Sequence, residues 1–257
     1  MSVTLEPETT GTEAQQTLNH NLRVFLGVGW ASIGLGALVL GFVMHQLFLT
    51  TWLAEANQGE LTRAAERRFA SVEVTEVVYV PVPIVELPTL GGTAVPQVED
   101  PTPRVASLLV EDAPAQADAF AIIRVSSLDR LGDGWTVVEG VGIDELKTGA
   151  GHMPDTPLPG MPGNAVISGH RTTYGAPFND LDELAAGDLI EVETAVGTHI
   201  YVVRESIVVT PFDVWVTDTR SGAWLTLTTC NPEFSARERL VVFAELQSGP
   251  NWEAIYG

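Results

Sequence analysis

The sequence is short of the residues that build disulfides, basic surfaces and zinc sites. Its 257 residues include one cysteine, Cys230, so an intramolecular disulfide is excluded. Lysine occurs once, at Lys147, and 13 basic residues stand against 33 acidic ones, which gives a formal net charge of −20. Without a basic patch to neutralise phosphates, nucleic-acid binding is excluded. No spacing of histidine and cysteine suits zinc, and we predict neither a metal nor another cofactor.

Apolar residues, by contrast, make up 45% of the chain, and its mean hydropathy is positive. An uncharged run extends from Val24 to Met44 and continues past His45 and Gln46 with further apolar residues. Roughly 20 apolar residues span a bilayer as a helix, and the run is longer than the core of a signal peptide. We predict an uncleaved transmembrane anchor at 24–49, preceded by a polar, disordered tail at 1–23. A buried helix of a soluble protein is the alternative.

The charges on either side of the anchor conflict with an extracytoplasmic C-terminal domain. Arg23 is the only basic residue before the run apart from histidine, whereas Arg63, Arg67 and Arg68 follow it closely. Because basic residues near a span favour the cytoplasmic side, this pattern does not place the C-terminal part outside. The functional interpretation below requires that placement.

The composition after the anchor predicts three further regions. Residues 50–70 are rich in helix formers and predict a membrane-proximal helical stalk. Residues 71–118 hold many prolines together with acidic residues, which is typical of an extended linker. From about residue 119 the texture changes to short β-rich runs, and we predict one folded domain at 119–257.

Turn residues separate the β-rich runs of this last region, and that spacing predicts an all-β barrel or sandwich. The runs are Ala121–Val125, Trp135–Val141, Ala165–Ser168, Leu189–Glu193, His199–Glu205, Ile207–Val209, Trp224–Cys230 and Arg239–Leu246. Short helices are predicted at Ile143–Thr148 and Phe178–Ala186.

The single cysteine lies where one of these strands gives out. Leucine and threonine alternate before Cys230, and Pro232 ends the strand two residues later. A lone cysteine in a strand is often a small buried hydrophobe. A reactive one needs a cation to stabilise its thiolate and an acid for its leaving group, and His170 with Arg237 or Arg239 would supply both.

Three stretches in this order resemble the sortase transpeptidases, most closely the class E sortases of high-GC Gram-positive bacteria. The first runs from Val138-Glu-Gly-Val-Gly to Leu158-Pro-Gly-Met-Pro-Gly163 and contains Ala150-Gly-His152. The second is Asn164-Ala-Val-Ile-Ser-Gly-His170-Arg-Thr-Thr-Tyr-Gly-Ala-Pro-Phe178. The third is Leu225-Thr-Leu-Thr-Thr-Cys-Asn-Pro232 with Arg239-Leu-Val-Val. The resemblance covers 120–246 and implies an eight-stranded sortase-type β-barrel with short helices.

Carried over to this sequence, the family's pattern implies Cys230 as the nucleophile, His170 as the catalytic histidine and Arg239 as the essential arginine. Arg237 is two residues earlier and shares the strand face, so periodicity alone cannot separate the two arginines. The resemblance also implies three substrate-binding residues: Thr229, Ser168 and Tyr174. Asn231 stands where class E members often have histidine.

The implied activity is cleavage of a Leu-Ala-x-Thr-Gly or Leu-Pro-x-Thr-Gly sorting signal between Thr and Gly. A thioester on Cys230 then passes the acyl group to an amine of the cell wall. The implied partners are surface proteins with C-terminal sorting signals and the amine of a peptidoglycan precursor, and the implied location is the cell membrane, single-pass, with the catalytic domain extracytoplasmic. A membrane-anchored cysteine peptidase and a non-catalytic cell-surface β-domain are the alternatives.

For the remaining polar residues we predict ordinary roles. His152 and His199 are interpreted as surface or loop residues, and Arg171 as facing solvent or an acid. The acidic group Asp180, Asp182 and Glu183 is interpreted as a solvated helix face, with calcium binding as the less favoured reading.

Overall fold

The computed structural model describes residues 10–81 and 104–257, which divide between Leu49 and Thr50 into two compact units. The α-helices are α1 (Thr10–Met44), α2 (Thr50–Ser71), α3 (Ile143–Thr148) and α4 (Trp252–Tyr256). The strands are β1 (Val74–Tyr79), β2 (Ala106–Glu111), β3 (Ala119–Arg124), β4 (Trp135–Glu139), β5 (Ala150–His152), β6 (Gly163–Ser168), β7 (Leu189–Thr194), β8 (Gly197–Val209), β9 (Ala223–Asn231) and β10 (Glu238–Ser248).

The first unit consists of α1 and a π-helical turn, His45–Leu49. Within α1, the 23 residues of Leu22–Met44 are long and apolar enough to cross a membrane, by length and composition. The predicted anchor at 24–49 falls on this part of the chain. Part of the predicted tail is corrected, because α1 already begins at Thr10. Adding residues to an existing helix is favourable, and the alanine, glutamines and leucine between Thr10 and Leu22 are good helix formers. The helix therefore extends toward the N-terminus beyond the apolar run. Residues 1–9 lie outside the described residues.

The second unit is built around a closed barrel of eight strands, which confirms the predicted fold class. The strand order is β10-β8-β7-β3-β4-β5-β6-β9, and the barrel closes because β10 also pairs with β9. Adjacent strands are antiparallel except for the β4–β5 and β6–β9 pairs, which are parallel. Alternate side chains of the strands point into the barrel and fill it. Leu225 and Leu227 of β9 and Val242 of β10, for example, lie in the main core.

The eight predicted runs do not correspond one to one with the eight barrel strands. The runs at His199–Glu205 and Ile207–Val209 form a single strand, β8, which pairs with β10 through a register shift opposite Phe243 and Ala244. The strand β5 was not predicted, because its three residues, Ala-Gly-His, show no alternation. The predicted helix at 143–148 is α3, whereas 178–186 holds only a 3-10 turn at Leu181–Glu183.

The predicted linker at 71–118 contains two strands. The strands β1 and β2 pair antiparallel, from Val74 opposite Glu111 to Tyr79 opposite Ala106. The side chain of Asn251 fixes β2 to the barrel: its Oδ1 accepts from Leu109 N at 2.8 Å and its Nδ2 donates to Leu109 O at 3.0 Å. β-Branched residues at Val74, Thr75 and Val77 favour this pairing despite the prolines nearby. Residues 82–103 of the predicted linker lie outside the described residues.

The helix α2, predicted as a stalk at 50–70, packs on the barrel. Ala65 is fully buried against Ala119, Ile122 and Val138. At the end of the helix, the Arg68 guanidinium lies 3.2 Å from the Glu111 carboxylate. The folded unit therefore begins at Thr50 and not at 119.

Candidate active site

The strand β9 divides its side chains between the barrel interior and an outer face. Leu225, Leu227 and Thr229 are buried, whereas Thr228 and Cys230 are half-buried. Because successive side chains point to opposite faces of a sheet, Thr228 and Cys230 share the outer face. Cys230 is thus held by a paired strand on one side and is reachable from solvent on the other.

Arg239 stands directly across from Cys230. In the β9–β10 ladder these two residues are Cα partners, and directly opposed residues of an antiparallel pair have Cβ atoms about 4.5–5.5 Å apart on the same face. The Arg239 Nη1 donates to the carbonyl oxygens of Ala236 at 3.1 Å and Glu238 at 2.9 Å. The guanidinium is therefore tethered to the backbone that leads into β10.

Arg237 is placed differently. It precedes β10, which begins at Glu238, and its side chain is exposed. Its Nε lies 3.4 Å from Ser235 Oγ, within its own loop. Strand pairing thus separates the two arginines that periodicity could not.

His170 follows the strand on the other side of β9. The parallel β6–β9 ladder pairs Ser168 with Thr228, and the two hydroxyl oxygens lie 3.3 Å apart. Past the end of β6, Gly169 N donates to Thr228 O at 3.1 Å, and Thr229 Oγ1 donates to Gly169 O at 2.8 Å. These bonds carry His170 alongside Cys230, since both lie two residues beyond the Ser168–Thr228 pair.

Burial lowers the pKa of His170 from its ordinary value of 6.5. The ring of Tyr174 lies against it, with centroids 5.1 Å apart. Thr229, predicted to bind substrate, is buried and faces inward, where its hydroxyl holds the backbone before His170. Ser168 and Tyr174 lie on the side that Cys230 faces.

Sequence reasoning missed the role of Arg171. Its side chain is only 4% exposed; its Nη1 donates to Asn231 Oδ1 at 2.7 Å, and its Nη2 lies 2.7 Å from the Asp182 carboxylate. The predicted alternatives, solvent or an acid, resolve in favour of the acid, and Asp182 is an ion-pair partner and not merely a solvated residue. Arg171, the residue after His170, is therefore hydrogen-bonded to Asn231, the residue after Cys230.

A second set of contacts fixes the outer face farther along β9. Asn164 is buried; its Nδ2 donates to the carbonyl oxygens of Val216 and Asp218, both at 3.1 Å, and its Oδ1 accepts from Thr226 Oγ1 at 2.6 Å. The connection between β8 and β9 is thereby held over β10, where Val216 packs with Val241 and Phe243. This connection and the loop 169–178 border the face that carries Cys230.

His152 and His199 are not surface residues, so both predictions are wrong. His152 is 1% exposed, and its Nδ1 lies 2.8 Å from Glu139 Oε2. His199 is fully buried, with Nε2 3.3 Å from Thr194 Oγ1. Both lie on barrel strands. The ring nitrogens of His152 contact Glu139 at Nδ1 and Thr156 and the Pro157 carbonyl at Nε2, whereas His199 contacts Thr194 at Nε2. Sequence alone does not show those partners.

The buried His199 predicts a loss of stability in acid. Burial lowers its pKa to about 4 from 6.5, so between these pH values the unfolded chain binds a proton that the folded protein does not. The free energy of unfolding therefore has its full value above pH 6.5. It decreases by about 3 kcal/mol as the pH falls from 6.5 to about 4. We expect His199→Gln to remove that pH dependence, measured by denaturant unfolding of the full chain in detergent.

The comparison must be a difference between variant and wild type, because burial raises the pKa of Glu111 and acts in the opposite direction. The folded state takes up a proton at Glu111 before the unfolded chain does, which adds stability as the pH falls. This contribution is common to both proteins and cancels. Equal pH slopes for the two would contradict the assignment to His199.

Known proteins resemble this chain in sequence and in structure. A family model described as a sortase domain matches residues 126–247. Sortase SrtE1 of Streptomyces coelicolor is 37% identical over 112 residues, which are 40% of this chain and 30% of that protein. Sortase SrtE2 of the same organism is 30% identical over 152 residues, 53% of this chain and 60% of that protein. The chain thus matches less than two thirds of either relative.

Among solved structures, the SrtF sortase from Corynebacterium diphtheriae is similar with a TM-score of 0.50 and 29% identity. The similarity covers 53% of this chain and 88% of that one. The region that the family model matches, 126–247, contains Cys230, His170 and Arg239. By the family model and the sequence relatives, residues 126–247 are similar to a sortase domain, and the relatives include two sortases of the E type.

Proposed function

We propose that this chain is a membrane-anchored cysteine transpeptidase that cleaves a Leu-Ala-x-Thr-Gly or Leu-Pro-x-Thr-Gly sorting signal between Thr and Gly. The observation that carries the proposal is the cross-strand pair of Cys230 and Arg239, with His170 two residues beyond the last pair of the neighbouring β6–β9 ladder. A nucleophile, a proton donor and an oxyanion donor are the three groups that acyl transfer through a thioester requires.

The reaction proceeds in two acyl transfers. The Cys230 thiolate attacks the threonine carbonyl carbon, and the guanidinium of Arg239 donates hydrogen bonds to the oxyanion. The C–N bond to glycine breaks as protonated His170 gives its proton to the leaving amine. An amine then attacks the thioester carbon and loses a proton to His170, and the thiolate is released as the new amide forms.

The lowered pKa of His170 has a consequence for the pH profile. The reacting form needs the ring protonated, and burial makes this form the minor one at neutral pH. The share of protonated His170 therefore decreases as the pH rises, and we expect kcat/KM to fall with it.

The partners follow from the chemistry. Surface proteins with a C-terminal sorting signal supply the acyl group, and the amine of a peptidoglycan precursor receives it. Both are encountered outside the cytoplasm, so the proposal places the catalytic unit on the outer side of a single-pass anchor. The basic residues after the anchor do not oppose this strongly, because Arg68 is paired with Glu111 inside the folded unit and the positive-inside rule concerns short loops.

The test uses the full chain in detergent with a Leu-Ala-x-Thr-Gly peptide and an oligoglycine amine. We expect a thioester mass on Cys230 and a peptide joined to the added amine. A product that stays the free threonine acid despite abundant amine would favour the cysteine peptidase. Binding without any cleavage would favour the non-catalytic β-domain.

A further inference from the structure

One face of α2 reaches the backbone next to the site. Along this face Gln58 makes two hydrogen bonds to the barrel: its Oε1 accepts from Thr136 N and its Nε2 donates to Thr148 O, both at 3.0 Å. One turn earlier, Ala54 is 2% exposed. Residues four apart lie on the same helix face, so Ala54 and Gln58 face the same part of the barrel, around Trp135 at the start of β4.

The indole of Trp135 is held between two glycines. A Cβ added to Gly149 would lie 2.5 Å from Trp135 Nε1, and one added to Gly175 would lie 2.5 Å from Trp135 Cη2. The same added atom on Gly175 would lie 3.4 Å from the Cβ of Ala54. Trp135 and Ala54 of α2 therefore lie on the same side of Gly175, the side that a Cβ would occupy.

Gly175 belongs to the loop 169–178, which also carries His170 and Tyr174. Three consecutive residues of this loop are left-handed: Tyr174 with φ 52°, Gly175 with φ 81° and Ala176 with φ 45°. Non-glycine residues adopt this conformation only where the surroundings hold them in it. The Tyr174 ring packs on His170, so the conformation of this stretch bears directly on the imidazole.

We propose that α2 is a positioning element of the active site, acting on His170 through the contact of Ala54 and Trp135 with Gly175. The helix that follows the membrane-crossing segment in sequence is thus part of the machinery that orients the proton donor. This inference rests on the proposed transpeptidase activity for its kinetic readout, but a second readout does not need the peptide.

The decisive variants are Ala54→Leu and its matched control Ala65→Leu. Both alanines are buried on α2 and both substitutions overpack the helix against the barrel, but only Ala54 borders the loop with His170. We expect Ala54→Leu to lower kcat by about 10- to 100-fold with KM within about twofold, because misplacing a catalytic group by a fraction of an ångström to 1 Å costs that much. Ala65→Leu is expected to lower the melting temperature while leaving both constants unchanged.

Two further variants guard against a folding defect. Gly175→Ala approaches the same contact from the loop side and is expected to give the same fall in kcat. Ala56→Leu changes an exposed position of α2 and is expected to change neither kinetics nor stability. If Ala65→Leu loses kcat as Ala54→Leu does, or if Ala54→Leu keeps the wild-type kcat, the positioning role is overturned.

The second readout is the alkylation of Cys230 by iodoacetamide, which is unambiguous because the chain has one cysteine. The loop 169–178 borders the face that carries Cys230, so moving this loop should change the access of iodoacetamide to the sulfur, and with it the alkylation rate at neutral pH, in Ala54→Leu and Gly175→Ala but not in Ala65→Leu. If the wild type processes no sorting peptide, the proposed function fails, and the alkylation rates still decide the positioning role. Equal alkylation rates in all variants would overturn it.

Discussion

Replacing Cys230 with alanine is expected to lower kcat/KM for a sorting peptide by more than about 10⁴-fold. The thiolate is the atom that bonds to the acyl group in the proposed reaction, and no other thiol exists in the chain to replace it. The measurement is single-turnover cleavage of the peptide by the full chain, followed by intact mass. The thioester mass should be absent from the variant and present in wild type.

The stability of this variant is its own control. Cys230 lies half-buried on the outer face, so removing its sulfur should change the free energy of unfolding by about 1 kcal/mol or less. Peptide binding should survive, because the backbone of β9 and the Asn164 contacts remain. A variant that cleaves the peptide at the wild-type rate would remove Cys230 from the mechanism, and the nucleophile would then have to be another residue.

The barrel itself was predictable because alternation records which side of a strand is buried. Leu225 and Leu227 alternate with threonines, and the structure places the leucines in the core. The strand β5 shows no alternation, because it is three residues long and all three are buried. β1 and β2 were hidden by the prolines around them, since composition averages over a window in which each strand has only six residues.

The packing of α2 illustrates a second limit. The sequence of 50–70 predicts a helix, but a polar helix with a few alanines reads equally well as a solvated stalk. Its attachment depends on Gln58 bonding two backbone groups of the barrel, Thr136 N and Thr148 O. These hydrogen bonds join positions far apart in sequence, and the residue pattern of α2 does not predict them.

At the site, the sequence predicted which residues take part but not which of them lie next to each other. The motif pattern pointed to Cys230 and His170, whereas the choice between Arg237 and Arg239 needed the pairing register of β9 with β10. For Arg171 an acidic partner was one of the two predicted alternatives, but its burial and its bond to Asn231 were not predicted, because a charged residue beside a loop is usually solvated. Only the folded barrel shows that Arg171 lies beneath the ends of β6 and β9.

The pairing of Arg239 with Cys230 across β9 and β10 predicts a large loss of activity when Arg239 is replaced. We expect Arg239→Ala to lower kcat by about 10²–10³-fold, equivalent to about 3–4 kcal/mol of transition-state stabilisation, because an oxyanion donor is lost. Arg239→Lys should retain part of the rate, since an ammonium offers a charge but not the planar fork of a guanidinium. The measurement is kcat and KM for the sorting peptide in the full chain.

Arg237→Ala is the matched control, because it removes the same guanidinium two residues away. Arg237 is exposed and bonds within its own loop, so its loss should leave kcat within about twofold of wild type, the ordinary range for a surface substitution. The reverse pattern, with Arg237 essential and Arg239 dispensable, would mean that the loop between β9 and β10 refolds over the bound peptide. In that event the cross-strand pairing seen in the free protein would not be the geometry that reacts, and the oxyanion donor would be supplied by the loop and not by β10.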